Sequence, residues 1–549
     1  MKRRQFIQKA GLTSISLPFL TKSIDFKFHT TSLEEKEFVV ADTSFGKVKG
    51  YREDGVSIFK GIPYAGKTSG ERRFKRPAPL EPWTGIREAI SPGAPAIQPV
   101  RRNEPQPSED CLFLNVWTPA NDGKKRAVMF YNHGGGFVIG SGAAAGQDGA
   151  NLARNFDVVV VETNHRLGLM GFLYLDEIAG PEYAGSGNNG MLDIVDGLKW
   201  VRQNIVQFGG DPNNVMIWGE SGGGAKTSCL YAMPSAAPFF NKASIESGPG
   251  VRMTDKQTAH ETTLQLFKEL DIPLSDWKKI LEVPAEKLLE IQNKLPSVAP
   301  FVEKNKSKSL MRRNAGGFGP VVDGISLPHH PFDPGAPAIS KNKPLLVGWN
   351  EDEYTFFAWQ SKETEAFKLD FDRLKTKLEP TFQQDTPLII DTYRKAFPQA
   401  SATDIFVAIS SITMMGLGSI DIAEKKHLQG GAPVYLYNFG YKSEMKIPGT
   451  DYPMGTPHAM DISFKFNNES ANKPSFFGGA RPEKAIASHN FAELWTNFAK
   501  TGKPFVKDGP EWPAFNQKTK PMMIIDARLS VINNRYPEII ALWRSLGKI

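Results

Sequence analysis

The stretch Ile217-Trp218-Gly219-Glu220-Ser221-Gly222-Gly223-Gly224-Ala225 constrains the fold more than any other. An apolar run, Val215 to Trp218, reaches a glycine. A serine follows two residues later, and a glycine-rich opening leads into Ala225 to Met233. The first segment has the pattern of a buried strand and the last that of a helix. Gly-x-Ser-x-Gly between a strand and a helix is a nucleophile elbow, a tight turn that holds the serine Oγ exposed at the end of a sheet. A Cβ at Gly219 or Gly223 would meet neighbouring backbone there. The following helix brings its first N–H groups and the positive end of its dipole beside the serine. Glycine is abundant, 50 of 549 residues, so the pentapeptide alone also fits a plain turn. The flanking strand and helix select the elbow.

The rest of the chain supplies a sheet around this turn. Residues 37–50 read as an opening hairpin and Phe59 to Ala65 as a strand and turn. Further strands are expected at Leu112 to Trp117, Ala127 to Tyr131, Val158 to Val161, Pro344 to Gly348 and Val434 to Tyr437. The β-branched run at Val158 predicts a buried strand of a parallel sheet. An amphipathic helix from Leu192 to Phe208 stops at Gly209-Gly210-Asp211-Pro212, a helix end followed by a turn. Strands alternating with helices predict an α/β fold with a mostly parallel central sheet flanked by helices. Two helical insertions, around 255–310 (helical pattern from Asp255 to Leu295) and around 365–428, interrupt the alternation. They are expected to form a cap over the carboxyl edge of the sheet. Residues 37–549 read as one domain.

Composition narrows the class. Hydrophobic residues make up 40% and aromatic residues 11% of the chain, ample for a large core and too much for a disordered chain. The net charge of +7 and pI near 9.0 come without a basic stripe or interleaved aromatics. A mildly basic solvated surface is therefore expected and nucleic-acid binding is not. The two cysteines, Cys111 and Cys229, do not make a disulfide framework, although a single bridge between them stays open at this point. Residues 1–30 open with Met1-Lys2-Arg3-Arg4-Gln5-Phe6-Ile7 and a modest apolar stretch to Leu20. This resembles a twin-arginine export signal and predicts an exported, periplasmic protein, the alternative being a frayed cytoplasmic tail. The stretch is too short to span a bilayer, and no other approaches the roughly 20 apolar residues required.

Tyr131-Asn132-His133-Gly134-Gly135-Gly136-Phe137 follows an apolar strand upstream of the serine. A His-Gly-Gly-Gly turn offers backbone N–H groups unshielded by side chains, and a developing oxyanion needs such donors. The expected donors are the amides of Gly135, Gly136 and Gly222. A serine hydroxyl needs a base, and histidine suits neutral pH. In α/β-hydrolases the chain order is nucleophile, acid, histidine. That leaves His427, His458 and His489 as candidates. His427 sits in a solvated helix end and His489 in an amphipathic helix, whereas His458 lies in the loop Gly455-Thr456-Pro457-His458, where exposed reactive groups belong. For the acid, Gly348-Trp349-Asn350-Glu351-Asp352-Glu353 offers three carboxylates after a strand, and spacing alone does not choose among them.

Taken together these stretches resemble the type-B carboxylesterase/lipase family, which includes cholinesterases and bacterial para-nitrobenzyl-type esterases. Phe59 to Ala65, Ser108-Glu109-Asp110-Cys111-Leu112, His133 to Phe137, Asn164 to Gly168, Gly187 to Gly190, Phe208 to Pro212, the elbow, Pro320 to Gly324 and Trp495 to Gly502 all match in one order. The resemblance implies an α/β-hydrolase fold, Glu353 as the acid, His458 as the base and a buried, hydrogen-bonded Glu220 beside the serine. It also marks Asp461 as the acidic residue three after the family histidine. The chain departs from the family where Cys111 faces Ala96 instead of a cysteine. The loop from Ile97 to Asp110 has no aromatic residue, which argues against choline esters.

The expected activity is therefore hydrolysis of carboxylic esters by Ser221, His458 and Glu353 through an acyl-enzyme, on small-molecule substrates and without metal or organic cofactor. Amide, carbamate or lactone substrates are the alternative within the same machinery. A binding protein without catalysis is disfavoured by the presence of all three residues. Trp83, Phe137, Trp349 and Phe356 are candidates to line the pocket, although core packing is the commoner role for each.

Overall fold

Thirteen strands build one sheet in the computed structural model, which describes residues 37–144, 146–295 and 317–549. The twin-arginine-like segment (1–30) and the end of the first insertion (296–310) lie outside the described residues. An antiparallel meander comes first: β1 (Glu37–Thr43), β2 (Gly46–Glu53) and β3 (Val56–Pro63). Then follow β4 (Phe113–Thr118), β5 (Arg126–Asn132), β6 (Val159–Thr163), β7 (Gly210–Glu220) and β8 (Lys242–Glu246). The sheet is completed by β9 (Leu345–Asn350), β10 (Val434–Phe439), β11 (Pro521–Ile525) and β12 (Ser530–Asn533). A short strand, Ile86–Glu88, pairs beside β2. The spatial order is β1-β2-β3-β4-β6-β5-β7-β8-β9-β10-β11-β12.

From β6 through β11 all neighbours are parallel. The run expected at Val158 to Val161 is thus parallel to β5 on one side, but antiparallel to β4 on the other. The sequence order reverses around β5, which lies between β6 and β7. Ligands of open α/β sheets sit beyond the carboxyl ends of strands at such a reversal. Here those ends carry the His-Gly-Gly-Gly turn and the serine.

Both faces of the sheet are covered, and side chains along the strands alternate between two cores. Phe130, Val161, Ile217 and Val347 pack into one. Met129, Val160, Trp218 and Tyr437 pack into the other with Phe491, Trp495 and Phe498 of the long helix Glu483–Thr501.

The insertions contain helices Lys256–Glu269 and Ala285–Lys294 in the first, and Phe371–Phe382, Thr386–Ala396 and Ala402–Ser411 in the second. Gln292 of the first accepts a hydrogen bond from the Leu169 amide at 2.7 Å, in the segment that leaves β6. The second packs Phe406 against Tyr354 beyond β9, ring centroids 5.0 Å apart. A π-helical turn at Ile412–Gly416 joins Ala402–Ser411 to Leu417–Gln429, making 28 helical residues that are long and apolar enough to match a membrane span. This corrects the expectation that no other stretch approaches a membrane span: between Ala402 and Ile420 the one charged residue is Asp404. The apolar window is 72% buried inside the protein, which is the environment of a core helix.

Candidate active site

Ser221 ends β7 with φ +60° and ψ −123°, a strained conformation for a residue with a Cβ, and opens helix α1 (Gly222–Ala232). The surrounding glycines are required by close approach. A Cβ on Gly219 would lie 2.5 Å from the Asn132 carbonyl oxygen, one on Gly223 2.0 Å from the same atom, and one on Gly222 2.2 Å from the Gly136 oxygen. The loop after β5 therefore rests directly on the elbow. Gly135 and Gly136 both adopt positive φ, +84° and +64°. The Gly136 nitrogen faces Gly222, 2.4 Å from where a Cβ would stand.

His458 arrives from the turn before helix Met460–Lys465 and is 3% exposed. Its Nε2 lies 2.8 Å from Ser221 Oγ, and its Nδ1 lies 2.6 Å from Glu353 Oε2. A carboxylate oxygen only accepts, so Nδ1 carries the proton. Glu353 is fully buried at the start of helix α2 (Glu353–Gln360), where the helix dipole favours negative charge. Its other oxygen accepts from the Asn350 amide at 2.8 Å. Asn350 Nδ2 in turn donates to the Pro457 carbonyl at 2.8 Å and to Asp461 at 3.0 Å, tying the acid's turn to the histidine's.

The three carboxylates that spacing left open are distinguished by their partners. Glu351 accepts from Arg535 at 2.9 Å and from Tyr536 at 3.1 Å. Asp352 pairs with Lys442 at 2.5 Å and accepts from the Thr456 amide at 2.8 Å. Only Glu353 reaches the imidazole. The other candidate histidines lie elsewhere: His489 pairs with Glu493 at 3.5 Å, and His427 packs near Phe515.

A buried ionic group unforeseen in the sequence underlies these residues. Lys465 pairs with Asp461 at 2.6 Å and with Glu246, and Glu246 also accepts from Trp495 Nε1 at 2.5 Å. Burial disfavours the Lys465 ammonium, but Asp461 and Glu246 more than compensate and raise its pKa. Its nearest local signal is the i, i+4 spacing of Asp461 and Lys465. Glu220 is buried as the resemblance implied, but its Oε1 has no hydrogen-bond partner and pairs at 3.4 Å with His458 Nε2. Burial raises the Glu220 carboxyl to about 8 against the pull of His458. For His458 itself burial opposes the charged ring, yet Glu220 and Glu353 outweigh it and raise its pKa.

Of the aromatic candidates, Phe356 stands beside the histidine, ring centroids 5.7 Å apart, with Phe357 closer at 4.7 Å. Phe137 packs on Phe172. Trp83 holds the β1–β2 turn by donating to the Lys47 carbonyl. Trp349 lines a separate cavity of about 270 Å³ with Tyr393, Tyr452 and Tyr536. Cys111 and Cys229 are both free and buried, which settles the bridge left open above. Among the described residues no group of three or more His, Cys, Asp or Glu side chains is placed to hold a metal ion.

A strained serine on a strand-to-helix turn, at the carboxyl end of a mostly parallel sheet with helices on both faces, defines an α/β-hydrolase. Residues 37–543 match the carboxylesterase family, and the chain belongs to it: it is a carboxylic-ester hydrolase. It is 33% identical over 502 residues to the para-nitrobenzyl esterase of Bacillus subtilis, covering 90% of this chain and 96% of that one. It is 29% identical over 500 residues to the phenmedipham hydrolase of Pseudarthrobacter oxydans, covering 88% and 94%. A crystal structure of a Geobacillus stearothermophilus carboxylesterase superposes with a TM-score of 0.77 at 34% identity, covering 92% of this chain and 99% of that one.

The packing behind the elbow makes a direct test. A Cβ on Gly248 would fall 1.8 Å from the Ser221 carbonyl oxygen, so Gly248→Ala must shift the serine. A displacement of about 1 Å costs on the order of 10²-fold in rate. Ester turnover by the folded variant is expected to fall by about that factor, and wild-type turnover would show that the contact relaxes elsewhere.

Proposed function

We propose that Ser221, His458 and Glu353 act as a catalytic triad that cleaves carboxylic esters of small molecules through a covalent acyl-enzyme. The observation that carries this reading is the unbroken hydroxyl–imidazole–carboxylate chain, with links of 2.8 and 2.6 Å, on a turn strained in the manner of a nucleophile elbow. Ser221 Oγ attacks the acyl carbon as His458 Nε2 takes its proton. The amides of Gly135, Gly136 and Gly222 stabilise the resulting oxyanion. Collapse of the tetrahedral species breaks the bond to the alcohol oxygen, which leaves with the proton from His458. Water then repeats the sequence, releasing the acid and restoring the serine. Glu353 stays ionised, holds the tautomer and stabilises the imidazolium.

For residues 1–30 we propose export in the folded state by a twin-arginine-type route. Arg3-Arg4, the bulky pair Phe6-Ile7 and the short apolar segment support it. Two free, buried thiols suit a chain that folds in a reducing compartment.

Ser221→Ala is expected to lower kcat by at least about 10⁴-fold and to abolish the burst of alcohol release, with the fold intact by circular dichroism. Substantial remaining turnover in the purified variant would sink the assignment. The base works only as neutral imidazole, and its raised pKa keeps it protonated to higher pH, so activity rises with pH through that value. Glu220→Gln removes one of the three carboxylates, with Glu353 and Asp461, that raise it, and the acid limb of kcat/KM is expected to move to lower pH by about one unit. An unmoved or upward-shifted limb would contradict the role given to Glu220. Replacing Arg3 and Arg4 together by lysine is expected to leave the active enzyme in the cytoplasmic fraction; undiminished export would refute the twin-arginine route.

A further inference from the structure

Helix α1 carries a lysine that the chemistry above does not use. Lys226 is fully buried and stands one turn after Gly222 on the same helix face. Gly222 abuts Gly136, and Lys226 Nζ donates to the His133 carbonyl at 2.9 Å. In the neighbouring row Gly223 packs against the Asn132 carbonyl, while Thr227 Oγ1 accepts from Asn132 Nδ2 at 3.0 Å. Two rows of i, i+4 contacts thus fasten residues 132–136 to the helix that begins at the nucleophile. The fastening continues into the loop. His133 Nδ1 lies 2.9 Å from the Gly134 carbonyl oxygen, which only accepts, so this nitrogen donates. That carbonyl belongs to the peptide whose N–H is the Gly135 amide. Lys226 Nζ and the His133 imidazole thus hold two consecutive carbonyls, those of His133 and Gly134, whose peptides carry the Gly134 and Gly135 amides.

Physical chemistry disfavours a lysine at this place. Among the described residues no carboxylate lies within ion-pair reach of it. The groups that face it are the Phe137 ring, 5.9 Å away, and the imidazoles of His133 and His165, which stack at 4.6 Å. Both imidazoles are held neutral by burial and by Lys226 itself. The lysine also sits near the amino end of α1, where the helix dipole opposes positive charge. Burial pushes its ammonium down to about 7. An apolar side chain of equal length would meet none of these costs, and positions that break local rules in this way cluster at functional sites.

We propose that Lys226 is a positioning residue for the oxyanion site: its Nζ donates to the His133 carbonyl and thereby sets the Gly135 and Gly136 amides. Negative charge forming on the substrate oxygen strengthens that interaction, so the contribution falls on the transition state and not on the bound ester. The inference rests on the reading of Gly135, Gly136 and Gly222 as oxyanion donors.

Lys226→Met, a neutral side chain of similar shape, is the test in the full-length enzyme. Expected are a kcat lowered about tenfold or more with KM for a neutral ester unchanged. Affinity should fall in parallel for a trifluoromethyl ketone, which adds to a serine hydroxyl as an anion, but stay unchanged for the unreactive alcohol product. Wild-type kcat and wild-type ketone affinity in the variant would overturn the proposal. So would a uniform loss of kcat, KM and alcohol binding, which is the mark of a merely structural side chain. Should the methionine variant not fold, Lys226→Leu, which likewise lacks a donor, is read by the same criteria. A failure of the oxyanion reading itself looks different: the wild-type enzyme would then bind the trifluoromethyl ketone no better than the plain methyl ketone.

Discussion

Steric contact between two backbones governs this molecule. The loop leaving β5 and the turn leaving β7 approach so closely that Gly219, Gly222 and Gly223 have no room for a Cβ. Gly248 plays the same part from the segment after β8. Two neighbouring parallel strands, β5 and β7, end at the same level. Strain at Ser221 follows from this, since a residue with a side chain must turn through positive φ to leave the strand and enter the helix. The sheet and its two cores hold that arrangement rigidly, and neither turn is built to do so alone.

Around the contact the protein gathers more buried charge than a core usually tolerates. Glu220, Glu246, Glu353 and Asp461 share a small volume with His458 and Lys465, and all six are nearly or wholly buried. Charges taken out of water persist when each finds a partner. Lys465 serves two carboxylates, and His458 serves Glu353. Glu220 has one oxygen without a hydrogen-bond partner, and burial raises its carboxyl to about 8. The imidazole consequently sits between Glu353 and Glu220, and both carboxylates raise its proton affinity.

Much of this was legible in the chain because it follows from local rules. The elbow showed itself through glycine spacing between an apolar strand and a helix. The order serine, acid, histidine narrowed nine histidines to three, and the loop character of residues 455–458 singled out His458. The acid was not legible from spacing, since Glu351, Asp352 and Glu353 crowd one turn; only resemblance to a known family singled out Glu353. What separates them in space is the start of α2 and the partners Arg535, Tyr536 and Lys442, far along the chain. Glu246 and Lys465 stayed hidden for the same reason: they stand 219 positions apart. The long helix at 402–429 was read only as part of an insertion, because a π turn and a charged end obscure its continuity.

Neither thiol of this protein touches solvent. Burial pushes both above their ordinary pKa, so an alkylating reagent finds no thiolate while the native packing lasts. Cys229 lies on the helix that follows Ser221, and Cys111 lies just before β4, across the sheet's order from it. Each therefore becomes reactive only when its own region breathes open, and the pair amounts to two native stopwatches, one for helix α1 and one for the antiparallel flank.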